Sequence, residues 1–216
     1  MIHLRHATVT LALHPLSRGD GLPLLLLHAL GGSAADWRVL PVGWDGPVYA
    51  LDFSGHGDSQ WVKGGGYTPE LFTADADTAL ERIGAAAVAG IGLGAYIAVL
   101  LAGARADMIP AALLLPGRGL AGGPPQPDFS RGFRIVDVAD ATDSATGSDP
   151  LAWSADGMPR PPDYAVALAR AATRLLLVED DRERPPWWNA VAQVRAAAAV
   201  PADLGEAFRR LAEACD

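Results

Sequence analysis

The chain has 216 residues, half of them hydrophobic, which is enough apolar material to bury the core of a single domain. A formal net charge of -8 with only 17 lysines and arginines excludes a nucleic-acid backbone as the main partner, because phosphate binding needs clustered cations. A single cysteine, Cys215, excludes an internal disulfide or a multi-cysteine metal centre and fits a reducing cytoplasm. The expected partner is a small molecule, with no metal and no cofactor. No basic segment leads into an apolar run at the N-terminus, and Gly, Arg or Asp interrupts each apolar stretch before it spans ~20 residues, so no membrane partner is expected.

In chain order, His6 to Leu16 partly alternates apolar and polar residues, as a half-exposed strand near a sheet edge does. Leu22 to Leu30 is almost continuously apolar and reads as a strand covered on both faces. Gly31-Gly32-Ser33 breaks it, and Ser33 to Leu40 reads as a short helix. Pro47 to Phe53 is a second buried strand. Thr68-Pro69-Glu70 then opens a helix through Ile83, with an N-cap and a proline at the first helical position.

Ala86 to Arg105 is an apolar strand passing into an apolar helix through Gly90-Ile91-Gly92-Leu93-Gly94. Further strands are expected at the start of Ala111 to Gly119 and in Thr173 to Asp181, with a closing helix over Ala202 to Ala214. The alternation predicts an α/β fold with a mainly parallel sheet and helices on both faces. Between about 120 and 172 the sequence is rich in Pro, Gly and Asp and holds one strand-like piece, Phe133 to Asp140. It reads as an irregular insertion into one domain spanning 1–216.

Three segments resemble the α/β-hydrolase superfamily in order and spacing. Leu24 to Trp37 is similar to its strand and His-Gly oxyanion loop. Leu51 to Ser59 matches its Asp-x-x-Gly-His-Gly-x-Ser turn, and Gly90 to Ala95 stands at its nucleophile elbow. The resemblance implies an α/β-hydrolase-like fold with a minimal cap. In the elbow pattern Gly-x-Ser-x-Gly, Gly90 and Gly94 match but Gly92 stands in the serine position, so no covalent acyl-enzyme can form there.

The five histidines are His3, His6, His14, His28 and His56, and none follows the last strand, where the family places its base. Of the triad only an acid remains: Asp181, four residues before Pro185, which is either a relic or a ligand contact. Ester or amide hydrolysis by that route is not expected. The resemblance also implies an oxyanion hole from the backbone N–H groups of Leu30 and Leu93, although Ala29 replaces the usual glycine after His28.

His28 and His56 are expected to orient loops, and Asp52 and Asp58 to fix a turn. Arg118 follows a strand at a position where side chains reach the pocket or lie on the surface. Trp37, Trp187 and Trp188 either line a pocket or pack. Gly90, Gly92 and Ala95 also fit a dinucleotide fingerprint, but the next strand ends in Pro116-Gly117-Arg118 rather than in an acidic residue. Two functions are therefore expected. One is non-hydrolytic carbonyl chemistry (elimination, isomerisation or cyclisation) on a backbone oxyanion hole; the other is a catalytically inactive small-molecule-binding or scaffold protein.

Overall fold

The computed structural model describes residues 1–37, 43–120, 147–158, 160–180 and 183–216. Among them the strands are β1 (Ile2–His6), β2 (Val9–Ser17), β3 (Leu24–Leu27), β4 (Val48–Asp52), β5 (Ala87–Ile91), β6 (Ala112–Leu115), β7 (Leu175–Val178) and β8 (Ala197–Val200). The helices are α1 (Pro69–Ile83), α2 (Leu93–Ala104), α3 (Pro162–Ala171), α4 (Pro186–Val191) and α5 (Leu204–Glu213). Short 3₁₀ segments cover Ala34–Trp37 and Pro150–Gly157.

The strands form one sheet in the order β1-β2-β4-β3-β5-β6-β7-β8. β1, β2 and β4 pair antiparallel, and every pair from β4 onward across the sheet is parallel. Consecutive leucines explain the layering, because side chains alternate across the sheet. Leu25 and Leu27 join Val88, Leu114 and Leu177 in the core under α1 to α4. Leu24 and Leu26 join Ala89, Leu113 and Val178 on the other face, under Phe208 and Leu211 of α5. Strands buried on both faces need uniformly apolar runs, and these four-residue strands have them.

Two boundaries differ from the sequence reading. The N-terminal strand is a hairpin of two, with His6 opposite Val9, because Ala7 takes a left-handed φ of 50° without the Gly or Asn that marks such turns. The segment read as irregular to 172 contains α3. Its buried residues are only Ala165 and Ala169, so its apolar stripe is faint in the sequence. α3 lies so close to α2 that a Cβ on Gly103 would stand 2.2 Å from the Leu168 carbonyl oxygen. The strand-like piece Phe133 to Asp140 lies outside the described residues.

α1 begins where its sequence places it. Thr68 is the N-cap, its hydroxyl accepting the Leu71 N–H at 3.2 Å, and Pro69 starts the helix. Thr68→Ala is expected to cost about 1 kcal/mol, measured as a lower urea midpoint with an unchanged m-value.

Candidate functional site

Strand order reverses at β3: the chain leaves it for β4 on one side, while β5 lies on the other. In open parallel sheets, ligand sites form in the crevice beyond the carboxyl ends of such strands. Here that crevice holds Leu30, after β3, and the turn from β5 into α2.

Gly92 sits at the apex of that turn as the N-cap of α2, with φ 56° and ψ -112°. Glycines on either side allow the close approach of backbones. A Cβ on Gly90 would stand 2.1 Å from the Gly94 carbonyl oxygen, and one on Gly94 would stand 2.2 Å from that of Leu27. At Gly92 itself a Cβ would meet the Arg118 carbonyl oxygen at 2.1 Å and the Arg118 nitrogen at 2.6 Å.

That carbonyl oxygen is doubly bound. The N–H of Leu30 donates to it at 3.2 Å and the N–H of Leu93 at 2.9 Å. Two backbone donors from separate elements thus converge on one oxygen, and the oxygen belongs to the chain itself. Leu30 and Leu93 are both buried. The turn that delivers the carbonyl is tight, with φ of 114° at Gly119 and 51° at Leu120. A Cβ on Gly119 would crowd the Cβ atoms of Leu93 and Leu30 at 2.7 and 3.0 Å.

The alpha/beta hydrolase family model covers residues 24–214. The chain belongs to that family. It is 34% identical over 101 residues to Esterase Rv0045c of Mycobacterium tuberculosis, a stretch that is 45% of this chain but only 34% of the esterase's length. The enol-lactonase from Burkholderia xenovorans LB400 superposes with a TM-score of 0.69 at 19% identity, covering 99% of this chain and 95% of that one. The N-formylmaleamic acid deformylase from Pseudomonas putida S16 does so at 0.69 and 16%, covering 93% and 91%. At these identities the two structures speak for the α/β-hydrolase fold alone.

The two histidines nearest the crevice are committed to backbone. Nδ1 of His28 is 2.7 Å from the Ala29 carbonyl oxygen, to which it can only donate, and Nε2 accepts the Phe53 N–H at 3.1 Å. His56 repeats the arrangement, donating from Nδ1 to Ser54 and accepting the Gly31 N–H on Nε2, each at 3.2 Å. Both rings are therefore neutral, and their centroids are 4.9 Å apart. Burial pulls the pKa of His28 down to about 4; burial and the neighbouring His28 pull that of His56 down to about 3. Such rings hold the Gly31 and Phe53 loops and are poor proton acceptors at neutral pH.

Asp52 locks the adjoining turn. One carboxylate oxygen accepts the Ala34 N–H at 2.6 Å; the other accepts the Asp58 N–H at 2.9 Å and lies 2.9 Å from His14 Nε2. His14, Asp52 and Asp58 have ligand atoms within 4.8 Å of one another, as a metal site would, but both Asp52 oxygens already have these partners. Ser54 is fully buried, and its hydroxyl donates to Asp75 at 2.7 Å. His6 Nδ1 lies 2.6 Å from the other Asp75 oxygen, so Ser54 and Asp75 tie the N-terminal hairpin to α1.

The remaining candidates are dispersed. Arg118 is exposed and its guanidinium lies 5.4 Å from the Trp153 ring centroid; the same ring covers Gly31. Trp37 is 1% exposed and packs in the core under α5, on the opposite face of the sheet from Leu30 and Leu93. Trp187 and Trp188 are buried, with Tyr96 edge-on to Trp187 at 5.0 Å. Asp181 lies outside the described residues, and Asp180 beside it pairs with Arg184 at 2.7 Å.

Sequence reasoning named Arg118 for its side chain. The group that reaches the crevice is its main-chain carbonyl, and the only signal for that is the pair of glycines on either side.

Proposed function

We propose that this α/β-hydrolase-family chain is not a serine hydrolase but a ligand-binding member whose reaction centre is closed by its own backbone. The observation that carries the reading is the Arg118 carbonyl oxygen seated on the Leu30 and Leu93 N–H groups, in the volume that a side chain at position 92 would need. By the resemblance, position 92 would carry the nucleophile and the two N–H groups would form the oxyanion hole. Glycine supplies no nucleophile. The neutral, low-pKa rings of His28 and His56, held on both nitrogens, offer no general base to replace one. Ser54 is an unsuitable substitute, being buried and bound to Asp75.

The test is direct. Purified protein is expected to hydrolyse p-nitrophenyl acetate no faster than a heat-treated control, and to resist labelling by a serine-directed fluorophosphonate. Turnover abolished by Ser54→Ala or His56→Ala would show that the reaction centre had moved, and would end this reading.

A second reading, non-hydrolytic carbonyl chemistry, is favoured by one feature: the convergence of two N–H donors on a single oxygen, the geometry that polarises a bound carbonyl. It requires the Arg118 carbonyl to withdraw and a substrate oxygen to take its place. Elimination or isomerisation of a supplied substrate, measured by NMR of the product, separates it from simple binding.

A further inference from the structure

We propose that the cleft between α3 and α4 is a second ligand site, one that takes a phosphomonoester with a short apolar body. It lies apart from the crevice at Gly92. Ala196, at its edge, accepts the Leu175 N–H at 2.8 Å where β7 and β8 begin, so the cleft borders the amino ends of the parallel strands and the crevice their carboxyl ends.

Three observations lead to it. First, there is a space to fill. The cleft has a volume of about 260 Å³, a little below the ~300 Å³ at which most ligand pockets begin, which suits a small molecule. Val166, Ala190 and Val194 give it apolar walls.

Second, its charge is uncompensated. Arg170, in the last turn of α3, and Arg195, in the turn before β8, both line the cleft, and among the described residues neither guanidinium has an ion pair or a hydrogen bond. Among those residues no carboxylate lines the cleft either. The cleft of about 270 Å³ over α2 is built the other way: there Asp77 holds Arg105 at 2.6 Å, and Arg160 holds Glu70 at 2.7 Å. In a chain of net charge -8, where acids are in excess, two arginines that share a space without one leave it to an outside anion. Both helices end at the cleft with their carbonyl groups, which repel an anion, so the two guanidinium groups must carry the attraction between them.

Third, the turn supplies further donors. The N–H groups of Arg195 and Ala196 donate to no carbonyl among the described residues, and Gln193 brings a side-chain amide. Two guanidinium forks with these additional donors match the several acceptor oxygens of a phosphoryl group, whereas a carboxylate has only two oxygens to offer.

The experiment titrates the full-length 15N-labelled protein with phenyl phosphate at constant ionic strength, with inorganic phosphate and phenyl sulfate as comparisons. Phenyl phosphate is expected to shift the amide cross-peaks of Gln193, Arg195 and Ala196 saturably and to leave those of Leu30 and Leu93 in place. Inorganic phosphate, which lacks the ring, and phenyl sulfate, which carries one charge less, should each bind several-fold more weakly. Arg170→Gln and Arg195→Gln should each weaken phenyl phosphate about tenfold. Arg82→Gln removes the same charge from an exposed position on α1 and should leave the affinity unchanged.

Shifts that never saturate, or equal losses in all three variants, would overturn the site in favour of a response to the chain's overall charge. Inorganic phosphate bound as tightly as the ester would overturn the apolar body, and phenyl sulfate bound as tightly would overturn the doubly charged phosphoryl group. Movement of Leu30 and Leu93 in place of Arg195 and Ala196 would put the ligand in the Gly92 crevice and refute the second site.

Discussion

Replacing Gly92 by serine is expected to lower stability by about 2–6 kcal/mol and to restore no esterase activity. Two effects add. A non-glycine residue at φ 56° and ψ -112° carries backbone strain of about 1–3 kcal/mol. Its Cβ would also collide with the Arg118 carbonyl at 2.1 Å, and overpacking against main chain costs about 1–3 kcal/mol more unless the 116–120 turn moves.

Gly64→Ala provides the control. Its φ is 83°, but nothing lies within 4 Å of the added Cβ, so only the backbone cost of about 1–2 kcal/mol applies. Urea denaturation of the three proteins measures the comparison, and a Gly92→Ser protein as stable as the parent would contradict the packing described here. The hydroxyl alone should not hydrolyse p-nitrophenyl acetate, since members of a catalytic unit act together and no available base would take its proton.

Acidification is expected to begin destabilising the protein at a pH where its ordinary carboxylates are still ionised. His28 and His56 have folded-state pKa values of about 4 and about 3, against 6.5 when unfolded. Between those limits the unfolded chain binds more protons than the native one, so stability is full above pH 6.5 and falls as pH drops towards 4.

Together the two rings remove on the order of 5 kcal/mol by that point, comparable to the whole stability of many domains. Asp75 acts in the opposite sense. Burial raises its pKa, so its protonation favours the native state as pH falls and offsets part of that loss. Denaturation curves at intervals from pH 7.5 to 4.5 measure the slope. His28→Gln combined with His56→Gln should flatten it while lowering the plateau, because the clamps on Phe53 and Gly31 are weakened; an unchanged slope would show that other groups carry the acid sensitivity.

Much of the architecture was legible because local and global signals agree. Runs such as Leu24 to Leu27 and Leu175 to Val178, short and uniformly apolar, read as strands covered on both faces and form them, and Thr68-Pro69 starts a helix by capping chemistry that needs no tertiary partner. Gly90, Gly92 and Gly94 announced a tight passage from strand to helix, and β5 and α2 meet there. What was hidden lacks a local signature. α3 buries alanines, and the Ala7 turn uses a left-handed residue that is not glycine.

The candidate site divides in the same way. The sequence by itself determined that position 92 has no side chain and that no histidine follows the last strand, since these are matters of composition and order. Only the tertiary structure decided where the Arg118 carbonyl points, which nitrogens of His28 and His56 are engaged, and that Ser54 is bound to Asp75. A main-chain carbonyl is the same in every residue, so its partner is fixed by the path of the chain between β6 and Leu120 and by the strands that hold Leu30 and Leu93 beside it, not by the identity of the residue that carries it.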